Sequence, residues 1–243
     1  VPDGGDCRPW LRHGAWSDGE APLRRDFRGG TPDPTPYPFV RVRGEGVHEI
    51  AVGPVHAGTI EPGHFRFSLV GEKVLRLEQR LGYAHKGIER RFTELAALEA
   101  RRLAARIAGD STIAFAWAFC MAEENIRGLR VPPRAVFLRA LLLERERIAN
   151  HLGDLGALGN DAGFGVGLAQ FMRLKEDLLR ANATVFGARY PMDALITGGV
   201  AVDIDPAGIA LLQQQVHLLT DETRRLHAIY DEHAGIQDRF MGS

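Results

Sequence analysis

Residues 53–92 read GPVHAGTIEPGHFRFSLVGEKVLRLEQRLGYAHKGIERRF. The stretch opens with His56, Glu61 and His64 in a loop punctuated by Gly and Pro. From His64 the pattern alternates, with Phe65, Phe67 and Leu69 on one face and Arg66 and Ser68 on the other. After Gly71-Glu72, Leu75 and Leu77 alternate with Val74, Arg76 and Glu78. Two alternating runs about a short Gly-containing turn predict an antiparallel hairpin. At Gly87 the period changes. Ile88, Phe92, Leu95, Leu98 and Leu103 recur near helical spacing, which predicts one helix reaching about Arg106. The fold follows from this junction of a β unit with a helical region.

Upstream, residues 39–52 (FVRVRGEGVHEIAV) predict one or two short strands around Gly44-Glu45-Gly46. Residues 1–38 are rich in Gly, Pro, Asp and Arg, and the alternating prolines of TPDPTPYP forbid a helix, as in a tail or linker. Downstream, Gly109-Asp110-Ser111 breaks the helical pattern with residues suited to capping. The segment from about Thr112 to Ile126 is apolar almost all round, so full burial is expected. A third helix, about Arg134 to Leu158, carries the stripe Leu138, Leu141, Leu142, Ile148, Ala149 and Leu152. Its charged run Glu144, Arg145, Glu146 and Arg147 reads as bundle face and subunit contact. GNDAGFGVG reads as a loop, followed by a helix from about Leu168 to Phe186 and an irregular stretch from Pro191 to Asp205. Asp205 then caps a long helix from about Pro206 to His233. The expected class is α+β: a long-helix bundle with a small N-terminal antiparallel β unit.

Charge is balanced, 30 Lys+Arg against 31 Asp+Glu, so electrostatics give no case for nucleic acid or an anionic membrane surface. Cys7 and Cys120 are too far apart for a metal-spacing motif, and a reduced, cytoplasmic setting is the default expectation. No apolar run reaches the ~18 residues of a membrane span. The chain begins at Val1 with no signal segment, and a piece of a longer polypeptide is expected. Dinucleotide, P-loop, serine-hydrolase and zinc-protease motifs are missing from the sequence.

Single residues allow two readings each. Glu61, held at a Pro-Gly turn, is either a solvated loop carboxylate or, if burial raises its pKa, a proton relay. His56 is a backbone-satisfied loop histidine or a donor to an acceptor oxygen. His85 and Glu89 stand at i,i+4 and are expected to share a helix face. His151, within ERIANHLGDLG, reads on its own as a structural helix-face histidine.

GPVHAGTIEPGHFRF and GYAHKGIE resemble the large subunit of group 4 membrane-bound nickel–iron hydrogenases and the related quinone-site large subunit of respiratory complex I. The resemblance runs from about Gly53 to about Pro206. GEAPLRRDF, residues 19–27, resembles the closing signature of the complex I small subunit that neighbours the large one. It implies that residues 1–38 end a fused small-subunit-like domain and that residues 39–243 form a large-subunit-like domain stopping before the family's C-terminal motif. In the family a Glu-Gly-His motif supplies the proton-transfer glutamate, a role that the Glu-Pro-Gly-His form implies for Glu61 with His64 beside it. A Gly-Pro-x-His loop reaches the quinone cavity in the complex I relatives, which implies a quinone contact for His56.

At residues 106–111, RIAGDS stands where the hydrogenases have Arg-x-Cys-Gly-x-Cys. Arg106 and Gly109 are kept, Ala108 and Ser111 replace the cysteines, and Phe115 stands where the family often has histidine. Low-valent iron and nickel need soft sulfur ligands, so no metal of this chain's own is expected. Gly109 also falls where complex I subunits use a tyrosine for quinone. Arg106, with Gly109, Asp110 and His151, is implied to face a cofactor: a [4Fe-4S] cluster in a partner subunit, where a cation raises the reduction potential, and a quinone. The resemblance thus implies an oxidoreductase subunit related to formate hydrogenlyase and NADH:quinone oxidoreductase, with an iron–sulfur small subunit and antiporter-like membrane subunits as partners. It would lie peripherally on the cytoplasmic, inner face of the plasma membrane. The alternative is a non-catalytic scaffold or coupling subunit of an ion-translocating complex.

Overall fold

The computed structural model describes residues 39–55 and 62–241. The expectations for residues 1–38, His56 and Glu61 lie outside these. The chain divides between Leu95 and Ala96 into two units.

In the first unit Val47–Val55 (β1), Gly63–Val70 (β2) and Lys73–Arg80 (β3) form an antiparallel sheet in the order β1-β2-β3. The β2–β3 hairpin is the one expected: Val70 pairs with Lys73 across Gly71-Glu72. Gly71 takes φ +59°, a left-handed conformation that glycine adopts without steric penalty. Gly44-Glu45-Gly46 forms the turn leading into β1, so residues 39–52 contribute the start of one strand. The single helix expected over residues 87–106 is two, Ile88–Glu94 (α1) and Ala97–Ala104 (α2). Leu95 and Ala96 are extended between them, at ψ 147° and 156°. The apolar period spans the break because the two helices have different tasks. α1 buries no residue, whereas α2 buries Ala100, Arg101 and Ala104 in the second unit. His85 lies in the turn before α1, with its N–H bonded to the Gly82 carbonyl, so the expected His85–Glu89 helix face does not form.

The second unit continues with Thr112–Arg127 (α3), Pro133–Asp161 (α4) and Gly165–Phe186 (α5). A two-strand hairpin, Leu195–Ile196 (β4) and Gly199–Val200 (β5), precedes Pro206–Glu232 (α6) and Ala234–Met241 (α7). Asp205 caps α6 as expected, its carboxylate accepting from the Gly208 N–H at 2.7 Å. Ile113, Ala116, Cys120, Leu142, Ala181, Leu195 and Leu212 meet in the main core. α3 is not buried all round: Phe115, Met121 and Ile126 are exposed, and only the face carrying Ile113, Ala116, Cys120 and Glu124 is covered. Gly128, at φ +65°, ends α3 in a left-handed cap.

The expected loop GNDAGFGVG is mostly helix, because α4 runs through Asp161 and α5 starts at Gly165. The glycines permit close packing here. A Cβ on Gly156 would stand 3.2 Å from Phe171 Cβ, and one on Gly159 or Gly167 would overlap the Tyr230 hydroxyl. Tyr230 donates to the Leu155 carbonyl at 2.9 Å and packs edge-on against Phe164 and Phe171. Tertiary contact therefore overrides glycine's poor helix propensity. Gly159→Ala should lower the unfolding free energy by about 1–3 kcal/mol, the usual penalty of overpacking. Urea unfolding followed by circular dichroism reads this directly.

Candidate functional site

Of the loop residues, His64 is the one described. It lies at the start of β2 opposite Arg80, half-buried, with Nδ1 3.3 Å from the Gly53 carbonyl oxygen. Its ring tilts against Phe39 at 5.4 Å, and the Arg66 guanidinium lies 4.0 Å over the same Phe39 ring. Val55 pairs with Gly63 across β1 and β2. The two flanks of the segment carrying His56 and Glu61 are thus tied together by a strand pair and by His64.

The second group is the turn between α2 and α3. Arg106 forms a two-pronged pair with Asp193, at 2.9 and 2.7 Å, and also donates to the Arg102 carbonyl at 2.8 Å. The Asp193 hydrogen bond raises the Arg106 pKa, and the same bond lowers that of Asp193. Both side chains are nearly half exposed, so water screens the pair. Ser111, expected to cap α3, makes no cap with its side chain. Glu146, from α4, takes that place. Its carboxylate accepts from Thr112 Oγ1 at 3.0 Å and from the N–H groups of Ile113 and Ala114 at 2.7 and 3.0 Å. A negative charge on the otherwise unpaired N–H groups of a helix start is favourable. Asn150, one turn further along α4, donates to the Asp110 carbonyl at 2.7 Å. His151 follows Asn150 and is exposed. Arg106, Gly109 and Asp110 are thus gathered in one turn that α4 anchors.

A third, buried polar cluster was missed by the sequence reading. Arg139 meets Glu124 at 2.5 and 3.1 Å, with both side chains buried. Arg139 also donates to the carbonyls of Ile196 and Gly199, and Glu124 accepts from the Gly198 N–H at 2.7 Å. Arg101 donates to the Leu195 carbonyl at 2.5 Å. Three charged side chains from three helices therefore hold the β4–β5 hairpin. The Arg139 hydrogen bond holds the Glu124 carboxyl below its ordinary range, with burial opposing and the Gly198 N–H assisting. A signal for this existed in the sequence. The positions buried along α4, among them Leu138, Leu142, Ala149 and Leu152, also include Arg139, Arg145 and Glu146, and charges on a buried face need partners.

The residues of the turn do not fit a nickel–iron centre. Ala108 has no donor atom, and the Ser111 hydroxyl lies 3.4 Å from an Asp110 carboxylate oxygen. Cys120 is fully buried within α3, where burial pushes its thiol pKa up. Among the described residues no three His, Cys, Asp or Glu side chains group as a metal site would require.

The fold has a solved counterpart in a membrane-bound sulfane sulfur reductase, an archaeal respiratory membrane complex. The TM-score is 0.75 at 23% identity, covering 85% of this chain and 54% of that one. By fold and sequence together, the chain belongs to the large-subunit family of membrane-associated hydrogenases and NADH-quinone oxidoreductases. It is 30% identical to formate hydrogenlyase subunit 5 of Escherichia coli (strain K12) over 235 residues, 93% of this chain and 41% of that protein. It is 35% identical to hydrogenase-4 component G of the same organism over 196 residues, 78% of this chain. The chain spans well under two thirds of these relatives, 41% and 35% of their lengths. No family model matches.

Glu124→Gln leaves Arg139 buried without its counter-charge, and the expected loss is about 3–5 kcal/mol at neutral pH. The pH profile separates this from a packing effect. The folded pKa of Glu124 is depressed, so its contribution is present above the ordinary carboxylate value of about 4.3 and is lost as pH falls through the folded value. Thermal melts from pH 7 to pH 3 should show the parent losing this increment on acidification, with a flatter profile for the variant.

Proposed function

We propose that this chain serves as the large-subunit-like component of a membrane-associated oxidoreductase complex, of the hydrogenase or NADH:quinone oxidoreductase kind, without a nickel–iron centre of its own. The observation that carries this is the turn at residues 106–111. It keeps Arg106 and Gly109 of the family's ligand motif while Ala108 and Ser111 stand in place of its thiolates. In this reading electrons arrive from an iron–sulfur cluster of a partner small subunit and pass to a quinone or another acceptor. Glu61 relays protons with His64 and His56 beside it. Arg106, Gly109, Asp110 and His151 face the partner's cluster, with Arg106 acting as one half of an ion pair with Asp193. The exposed apolar side chains of α3 support assembly, since Phe115, Met121 and Ile126 in water are what an obligate interface would cover. No helix among the described residues is long and apolar enough to cross a membrane, which fits a peripheral place beside antiporter-like membrane subunits on the cytoplasmic face.

A scaffold or coupling role is the second reading. It is favoured by the self-sufficiency of the turn, whose polar groups are met by Glu146, Asn150 and Asp193.

Two measurements on the assembled complex, purified without a metal-affinity step, test these readings. Elemental analysis should show iron from the partner but no stoichiometric nickel; nickel together with hydrogen-dependent dye reduction would refute the proposal. Glu61→Gln should leave assembly intact and lower turnover on the order of 10²-fold, as loss of a positioned proton donor does. Parent-like turnover would remove Glu61 from the relay and leave the scaffold reading.

A further inference from the structure

Between α4 and α6 runs a groove of about 830 Å³. Its walls are Phe137, Leu141 and Ile148 from α4 and Ile209, Leu212 and Val216 from α6. Phe137 is 76% exposed, an unusual state for a phenylalanine on a helix. Both walls recur at helical spacing, and both helices pack on α5, which leaves the cleft between them open. The α4 wall runs from Pro133 to Ile148, about 22 Å at ~1.5 Å per residue.

One polar side chain in this groove stands apart. Arg145 is 4% exposed, yet its partners are all neutral. It donates to Asn182 Oδ1, to the Leu178 carbonyl at 3.1 Å and to Gln215 Oε1 at 2.7 Å. Among the described residues, Nη1 makes no hydrogen bond. Glu144, which lines the same groove, pairs with Arg147, and Glu146 caps α3. Burial lowers the guanidinium pKa to about 10, which still leaves it charged at neutral pH. A buried cation without a counter-charge is unfavourable, and Nη1, the nitrogen left without a partner, can donate a charge-assisted hydrogen bond to a carboxylate oxygen.

We infer that this groove docks an apolar helix of about four turns that presents one carboxylate to Arg145. Two helix walls with i, i+3 and i+4 ridges accept a third helix by ridges-into-grooves packing, and they offer no strand edge to an extended peptide. The single unmatched charge sets what that helix must carry.

The probe is a fluorescent 16-residue helical peptide with a leucine-rich face and one central glutamate on that face, beside the same peptide with glutamine. Anisotropy titration of the full chain should show the glutamate peptide binding at least about tenfold tighter. Arg145→Met should abolish that preference, and Phe137→Asp, at an exposed position, should weaken both peptides. Should Arg145→Met not fold, the two peptides and Phe137→Asp still decide. No binding at the solubility limit, or equal binding of the two peptides, would overturn the inference. So would Arg145-dependent displacement by a long-chain fatty acid, which assigns the groove to a lipid. A sedimenting dimer that Phe137→Asp converts to monomer would overturn it too, by assigning the groove to a second copy of this chain.

Discussion

The second unit depends on the ion pair between Arg139 and Glu124. The β4 and β5 strands are two residues each, too short to satisfy their own backbone. Arg101 and Arg139 donate from outside the hairpin to the carbonyls of Leu195, Ile196 and Gly199, and Glu124 takes the Gly198 N–H while neutralising Arg139. Such a pair adds little net stability over an apolar replacement. Its effect is to specify one conformation for a hairpin that would otherwise have many. The hairpin in turn fixes the approach of Pro191–Asp193, and Asp193 holds Arg106. A buried interaction on α3 and α4 thereby sets the geometry of a turn on the surface.

That turn opens α3, whose first N–H groups need acceptors and favour a negative charge. Here Glu146 contributes the charge directly on the first N–H groups of the helix, and Asn150 fixes the Asp110 carbonyl. The helix start is satisfied by protein groups alone, so alanine at 108 and serine at 111 leave no structural deficit.

The hairpin at residues 63–80, the helices α3 to α6 and the Asp205 cap were legible in the sequence because each rests on local chemistry: alternation, helical period, a capping side chain. What was not legible depends on contacts distant in sequence. The apolar period runs across Leu95 and Ala96 without a breaker, so two helices read as one. Gly159 and Gly167 look like loop residues until Tyr230 is seen against them. At the site, Arg106 was picked out by motif, but its partner Asp193 is 87 residues away in a stretch with no pattern. Arg145 and Glu146 were read as bundle face and Glu124 and Arg139 drew no reading, although the helical spacing of α4 sets Arg139, Arg145 and Glu146 among its buried positions.

Arg139 and Arg145 make the electrostatic logic of α4 explicit. Both are buried on the same helix, and both donate to backbone carbonyls. Arg139 has a carboxylate beside it; Arg145 has two amide side chains. The two environments impose similar desolvation, but only one returns a compensating charge. Amide oxygens orient a guanidinium and remove part of the penalty, yet they carry no net charge to offset the cation. A purely apolar occupant of the α4–α6 groove would exclude the remaining water and increase the penalty on Arg145. An occupant with a carboxylate would reduce it. The same apolar walls that favour burial thus discriminate by charge, and the discrimination strengthens as the groove becomes drier, since Coulomb attraction rises as the local dielectric falls.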